Sequence, residues 1–326
     1  MEEAPFIDPT QSYLPTTKKA RDFKNQGFIT QRAKGYHAIR LRVPMGRLQA
    51  EWMPTIKEVA ERYGRGYVTL TVRLGIEIPW VRTEELEEAK AYLRERGIVL
   101  AGCGPRMRAV HVCKGDVCPY SSLDVYKLGM KLDERFFSAD DPVIFPHKLK
   151  MGVSGCTIAC SKPQFEDIGI MGLSEPGLSL DDCNGCNLCA EICKDYGSVD
   201  DPSQAFTMVP NPNGGEPERI PVYNPSLCIY CGDCIRICPT EALFTKRQGL
   251  ALFIGGKFGR HPRWGTRVAN FLTEDEVFEV IYRVLDWWRK RGRRGERLGQ
   301  TMDRLGLDKF KGEVLLGGSW GDRLLL

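Results

Sequence analysis

The sequence lacks any long apolar run. Its longest apolar stretches, such as residues 250–254, are far shorter than the roughly 20 residues that a membrane-spanning helix needs. The N-terminus begins with Glu2 and Glu3 and contains no apolar segment of the kind that directs export. We therefore expect a cytoplasmic protein, and paired disulfides are rare in that compartment.

The sequence also lacks a strong charge imbalance and a nucleotide-cofactor motif. Its 326 residues carry a net charge of only +4, which is too small to indicate a nucleic-acid-binding protein but suits an anionic ligand. The basic run at residues 289–294 could bind nucleic acid, but its place at the end of a predicted helix favours solvent-exposed charge. No flavin or nicotinamide fingerprint is recognisable, so a redox reaction would need a separate electron donor.

Cysteine, by contrast, is abundant, with 13 residues, which in a cytoplasmic chain indicates metal or cluster ligation. Two motifs share the spacing C-x2-C-x2-C-x3-C, which is typical of proteins that hold two [4Fe–4S] clusters. Their members are Cys183, Cys186, Cys189 and Cys193 in the first motif, and Cys228, Cys231, Cys234 and Cys238 in the second. Structural zinc fits less well, because zinc sites pair two C-x2-C units at longer separation.

The fourth cysteine of each motif is expected to ligate the cluster of the other motif. The predicted ligand sets therefore exchange one member. The first insert set is Cys183, Cys186, Cys189 and Cys238, and the second insert set is Cys193, Cys228, Cys231 and Cys234.

Periodicity predicts regular elements on both sides of these motifs. Strands are predicted over residues 36–43, 67–74, 148–153 and 250–254. Helices are predicted over residues 48–63, 83–96 and 121–137, and from Thr273, where Thr273 and Glu276 form a capping box. Residues 1–35 are predicted to form an irregular arm. Residues 173–246, rich in Cys, Pro, Asn and Gly, are predicted to form a module inserted into a larger domain.

Four further cysteines precede the predicted module. Cys113 and Cys118 form one pair, and Cys156 and Cys160 form another. Spacing alone leaves both zinc and a third cluster open for this outer set. The thirteenth cysteine, Cys103, has no partner and is predicted to be a buried or free thiol.

The residues around the outer set resemble those of the siroheme-dependent sulfite and nitrite reductases. The likeness covers residues 36–315 and is greatest to the anaerobic and dissimilatory sulfite reductase subunits, which carry a ferredoxin domain inserted after the second cysteine pair. The segments that carry it are Ile39-Arg40-Leu41-Arg42-Val43-Pro44, Thr71-Val72-Arg73-Leu74-Gly75, Arg108 five residues before Cys113, Lys148-Leu149-Lys150, Asp167-Ile168-Gly169, Gly255-Gly256-Lys257 with Gly259-Arg260-His261-Pro262, and Gly295-Glu296-Arg297.

This resemblance implies an α+β fold in which a ferredoxin-like half-domain precedes an α/β siroheme and [4Fe–4S] domain that carries an inserted two-cluster ferredoxin domain. The expected segments are an arm (1–35), the half-domain (36–100), the siroheme domain in two parts (101–172 and 247–326) and the insert (173–246). The implied cofactors are siroheme and three [4Fe–4S] clusters, one of them held by the outer set. Cys160 is expected to bridge that cluster to the siroheme iron.

The resemblance further implies reduction of sulfite to sulfide. Arg42, Arg108, Lys148 and Lys150 are expected to bind the substrate, and Arg73 the siroheme carboxylates. The expected partners are a separate electron-donor protein and further subunits, in a homodimer or hetero-oligomer. Two alternatives stay open, namely nitrite reduction and a non-catalytic electron-transfer subunit without siroheme.

Overall fold

The computed structural model describes residues 18–137, 143–194 and 204–325. Its first unit is a four-stranded antiparallel sheet in the order β1-β2-β4-β3, with helices packed against it. Its elements are α1 (Lys18–Gln26), β1 (Phe28–Thr30), β2 (Tyr36–Leu41), α2 (Met53–Arg62), β3 (Thr69–Leu70), β4 (Ile76–Arg82) and α3 (Leu86–Glu95). Ile39, Ile78 and Leu93 are fully buried between sheet and helices, as the alternating and helical apolar patterns require.

A second, five-stranded sheet forms the larger unit, in the order β11-β10-β7-β6-β5. Its elements are β5 (His111–Val112), α4 (Val125–Phe136), β6 (Met151–Ser154), β7 (Ile168–Leu178), β10 (Leu243–Ile254), β11 (Thr266–Leu272) and α7 (Glu274–Arg291). Strands β5, β6 and β7 are parallel, and β10 and β11 are antiparallel to their neighbours. The parallel strands bring the chain segments that follow β5 and β6 to one edge of the sheet.

Helix α7 closes the core of this unit. Thr273 accepts a hydrogen bond from the backbone N–H of Glu276, whose side chain accepts from the Thr273 backbone, so the predicted capping box is present. The helix buries Val277, Ile281 and Trp288 against the sheet. Two shorter helices follow, α8 (Leu298–Leu305) and α9 (Leu307–Phe310). No helix in the described ranges combines the length and apolar character that crossing a bilayer requires.

Strands β7 and β10 pair from Ile168 opposite Ile254 to Leu178 opposite Leu243. The cysteine-rich segment connects the two strands at the Leu178–Leu243 end. Its regular elements are α5 (Leu188–Lys194), β8 (Phe206–Pro210), β9 (Arg219–Tyr223) and α6 (Asp233–Ile237). Strands β8 and β9 form a separate two-stranded antiparallel sheet. The predicted boundaries at residues 173 and 246 fall inside β7 and β10, so both strands run from the larger sheet into this segment.

Three local predictions were wrong. The arm is not irregular throughout, because α1 precedes strand β1, which pairs with β2 and buries Phe28 completely. The strand predicted over 67–74 stops at Leu70, because Thr71 Oγ1 accepts a hydrogen bond from the Gly75 N–H and turns the chain. The strand predicted over 148–153 begins only at Met151.

Candidate active site and cluster sites

Two cavities in the cysteine-rich segment are lined by the predicted ligand sets. One is lined by the whole second insert set, including Cys193 from the first motif. The other is lined by the whole first insert set, including Cys238 from the second motif. The geometry therefore brings each fourth cysteine to the other motif's cavity, as cubane ligation requires.

The described ranges contain no group of three His, Cys, Asp or Glu side chains placed to hold one metal ion. A cubane spreads its thiolates over separate iron atoms, so its ligands stand farther apart than those of one ion. Burial raises the pKa of Cys189 and of Cys231, each to about 11, and also raises that of Cys234. Iron must displace these protons, so cluster binding compensates the burial of the thiolates.

The outer set converges because of the parallel strands. Cys113 follows β5, Cys156 follows β6, and the Cys113 backbone N–H donates to the Val153 carbonyl at 3.1 Å. The Gly155 N–H lies 3.3 Å from the Cys113 sulfur. Burial raises the pKa of Cys156, and the nearby thiols of the other three members of the set add to this effect. A side chain at position 155 would collide with Ser121, so glycine is needed at this loop.

Cys160 is the exposed member of the outer set. The loops that carry the set also expose apolar side chains, with Val117 72%, Ile158 51% and Tyr120 42% accessible. Exposed apolar side chains on these loops are consistent with a surface that a ligand or partner covers. The exposed Cys160 thiol is available to ligate a bound cofactor.

Basic side chains line a separate cleft of about 1110 Å³. Arg108 and Lys148 face it together with Lys24, Arg289 and Arg294. The basic run at 289–294 was not predicted to belong to this site, because only the folded chain brings the end of α7 beside Lys148. The cleft has the size and charge to accept a polyanionic ligand.

Three cations lie at this end of the sheet, and the carboxylates of Glu166 and Asp167 oppose the lowering of the pKa of one of them, Lys150. Arg108, Lys148 and Lys150 form no ion pair within the described ranges, although Arg108 donates to the Gly102 carbonyl at 2.9 Å. Burial lowers the pKa of Lys148, and the positive charges of Arg297 and Lys150 lower it further. Burial also lowers the pKa of Lys150. Half-buried, mutually repelling cations favour a bound anion.

Arg42 and Arg73 have different surroundings. Arg42 is buried, forms an ion pair with Asp133 and lies 3.2 Å from the centre of the Phe137 ring. Arg73 pairs with Glu166 at 2.7 Å, while its buried Nε has no hydrogen-bond partner in the described part of the chain. Both arginines line a cavity of about 200 Å³ with Arg108. The orphaned Nε is a donor that an anionic group could satisfy.

Strand β6 separates the basic side chains from the outer cysteines. Lys150 precedes the strand and Cys156 follows it, so six residues of nearly extended chain place them roughly 15–20 Å apart. Lys148 and Lys150 were predicted to bind the substrate, on a strand that leads directly to the cluster ligand Cys156. The strand instead carries the lysines and the cysteines to opposite ends of the sheet.

A buried ion pair that was not predicted from the sequence stabilises the end of the sheet where the basic side chains lie. Arg297 donates two hydrogen bonds to Asp167, at 2.9 and 2.6 Å, and both side chains are buried. Asp167 also accepts the Lys150 backbone N–H at 2.8 Å. Both residues lie in segments that carry the family resemblance, yet their pairing across 130 residues became visible only in the fold.

Comparison with known proteins agrees with this architecture. Residues 29–96 match the family model described as the nitrite/sulfite reductase ferredoxin-like half domain. Residues 103–321 match the nitrite and sulphite reductase 4Fe-4S domain. The chain therefore belongs to the nitrite and sulfite reductase family.

Several individual proteins that are similar to this chain are sulfite reductases. The chain is 32% identical over 292 residues to the coenzyme F420-dependent sulfite reductase of Methanocaldococcus jannaschii, a match that covers 88% of this chain but only 44% of that protein. It is 28% identical over 317 residues to a subunit of the anaerobic sulfite reductase of Salmonella typhimurium, covering 90% of this chain and 87% of the relative. The crystal structure of dissimilatory sulfite reductase I superposes with a TM-score of 0.67 at 22% identity, covering 87% of this chain and 70% of that one. This last likeness supports the α+β fold.

Proposed function

We propose that this chain reduces sulfite to sulfide as a siroheme- and [4Fe–4S]-dependent oxidoreductase. The observation that carries the proposal is the group of half-buried cations Arg108, Lys148 and Lys150, which form no ion pair with any described residue. Relatives of this chain that are named sulfite reductase include F420-dependent, anaerobic, dissimilatory and assimilatory types.

The cysteine sets supply the cofactor ligands in this proposal. The outer set holds one [4Fe–4S] cluster, the two insert sets hold two more, and Cys160 links the first cluster to siroheme. Arg73 binds siroheme carboxylates through the Nε that no described residue satisfies. When bound, siroheme and its coupled cluster supply the electrons for the six-electron reduction.

The chain's own residues bind the oxyanion and provide protons. Arg108 offers a planar guanidinium that suits a sulfur oxyanion, and Arg42 is the second arginine proposed for this face. Lys148 and Lys150 add charge close to the substrate. Because burial lowers their pKa, they give up protons more readily than exposed lysines. Sulfite reduction consumes protons as its oxygens leave as water, so binding and proton supply come from the same groups.

The separation across β6 supports a site that is shared between chains. The basic end and the outer cysteines of one chain lie at opposite ends of β6, which favours lysines from another chain beside a siroheme held by Cys160. We therefore propose a homodimer or hetero-oligomer in which Lys148 and Lys150 act on the siroheme of a neighbouring subunit. A separate donor protein delivers electrons through the insert, which is proposed to extend over residues 173–246.

Anaerobic purification followed by visible spectroscopy and iron and sulfide analysis tests this function. We expect a siroheme spectrum together with the iron and sulfide content of three cubanes per chain. Reduction of sulfite by an artificial one-electron donor should follow. If the tetrapyrrole bands are absent from anaerobically purified protein, the chain would be an electron-transfer subunit instead.

Nitrite is the second candidate substrate. A segment of 153 residues is 30% identical to the ferredoxin–nitrite reductase of Arabidopsis thaliana, and the same cations would bind nitrite. Steady-state rates with sulfite and with nitrite, measured with one donor, decide between them. The proposal requires the larger kcat/KM with sulfite.

A further inference from the structure

The side chain of Tyr223 ends in a buried hydroxyl that has no oxygen or nitrogen partner in the described ranges. This hydroxyl faces the sulfur of Cys228, a member of the second insert set. Leaving a buried hydroxyl unpaired costs about 1–3 kcal/mol, and a protonated thiol is only a weak acceptor. An iron-bound thiolate is negatively charged and accepts more strongly. The hydroxyl therefore gains a good acceptor when Cys228 binds a cluster.

The local fold fixes the direction of this hydroxyl. Tyr223 is the last residue of β9 and lies opposite Phe206 in the β8–β9 register. The two rings stack with their centres 4.9 Å apart. The next backbone N–H, that of Asn224, donates to the Ala205 carbonyl at 2.7 Å. The Phe206 ring thus fixes the Tyr223 ring, and the strand pairing fixes the backbone next to it, so the hydroxyl is positioned before the cluster binds.

Backbone donors reach the same ligand set. The Tyr230 N–H lies 3.3 Å from the Cys228 sulfur, and the Ala205 N–H lies 3.2 Å from the Cys193 sulfur. Among the described residues, Cys228 therefore faces a backbone donor and one side-chain donor, the Tyr223 hydroxyl. That hydroxyl can be removed by substitution while the backbone donors stay in place.

Hydrogen bonds to cluster sulfurs influence the reduction potential. Reduction adds one electron to the cluster and increases the negative charge on its thiolates, so a donor stabilises the reduced form more than the oxidised form. We propose that the Tyr223 hydroxyl donates to the Cys228 thiolate and raises the reduction potential of the cluster held by the second insert set. Tyr223 is thus a positioning residue that acts through Cys228. The inference rests on the proposed function, because it requires a cluster at this set.

The test compares the loaded, full-length protein with its Tyr223→Phe variant by anaerobic redox titration followed by EPR. We expect the potential of one insert cluster to fall while the potentials of the other centres stay unchanged. Tyr230→Phe is the matched control, because it removes a neighbouring hydroxyl and keeps the backbone donor to Cys228. An unchanged potential in Tyr223→Phe, or an equal fall in Tyr230→Phe, would overturn the role of Tyr223.

A second variant covers the case in which Tyr223→Phe fails to assemble its clusters. Site-specific 3-fluorotyrosine at position 223 keeps the hydroxyl and makes it a stronger donor, so the potential should rise; an unmoved potential refutes the inference. Iron and sulfide analysis distinguishes a failure of the proposed function from a failure of the role of Tyr223. A wild-type chain without a cluster at the second insert set contradicts the proposed function, whereas a full cluster content with unmoved potentials contradicts only the role of Tyr223.

Discussion

The buried pair of Arg297 and Asp167 offers the most quantitative prediction of stability. Their side chains are 6% and 0% exposed, and two hydrogen bonds join them. Breaking a buried pair from one side leaves an unpaired charge and costs about 3–5 kcal/mol. We expect Arg297→Met to lower the stability of the protein by this amount at neutral pH. For a folding unit of roughly 150–250 residues, such as the larger unit that contains this pair, that loss corresponds to a fall of roughly 6–20 °C in Tm.

The pH dependence of the variant follows from the same pair. Burial raises the pKa of Asp167, and Arg297 opposes that rise. Without Arg297 the pKa rises further, so the folded variant binds a proton that the unfolded chain releases above its own lower pKa. The contribution of Asp167 is then most favourable at low pH and is lost as pH rises through the raised pKa. The deficit of Arg297→Met relative to wild type should therefore shrink towards acidic pH, near the ordinary pKa of an aspartate at about 4.

Anaerobic differential scanning calorimetry at two pH values measures both effects. The double variant Arg297→Met with Asp167→Leu removes both charges and should recover part of the loss, because an apolar pair avoids the desolvation cost but leaves the Lys150 N–H without its acceptor. Lys290→Met breaks the exposed pair with Asp286 and should change stability by less than about 0.5 kcal/mol. A loss below about 1 kcal/mol in Arg297→Met, or a double variant as unstable as that single variant, would refute the reasoning.

Three further predictions concern the siroheme ligand, sulfite binding and the pH dependence of stability. Cys160→Ser should remove or uncouple the siroheme while the insert clusters keep their EPR signals, and unchanged heme coupling would refute the bridging role. Lys150→Met should weaken sulfite binding by about 10- to 150-fold, since a charged hydrogen bond contributes about 1.5–3 kcal/mol, and an unchanged Kd would exclude Lys150 from the site. Burial lowers the pKa of His147 to about 4, so the folded protein keeps this group neutral where the unfolded chain protonates it. Stability should therefore fall as pH decreases from about 6.5 to 4, and His147→Asn should flatten this fall in urea titrations; an equally steep fall in the variant would contradict the role of His147.

Some features were predictable because they depend on neighbours in sequence. The capping box at Thr273 needs only short-range geometry and is present in the structure. The two C-x2-C-x2-C motifs also depend on local spacing; their cysteines line two cavities, and the cluster ligation stays a prediction. Strand β1 was missed because three residues have too little periodicity to identify a strand. Its stability comes from pairing with β2 and from the complete burial of Phe28, which are tertiary effects.

The candidate site shows why sequence adjacency misleads at a strand. Lys150 and Cys156 are only six residues apart in sequence. In β6 the same spacing becomes the length of the strand, so each end of the sheet gains one chemical character, cationic at the start and thiol-rich at the finish. In the proposed site, the lysines beside a siroheme held by Cys160 therefore come from a second copy of the fold. The division of charge and sulfur along one short strand is the physical argument for that proposal.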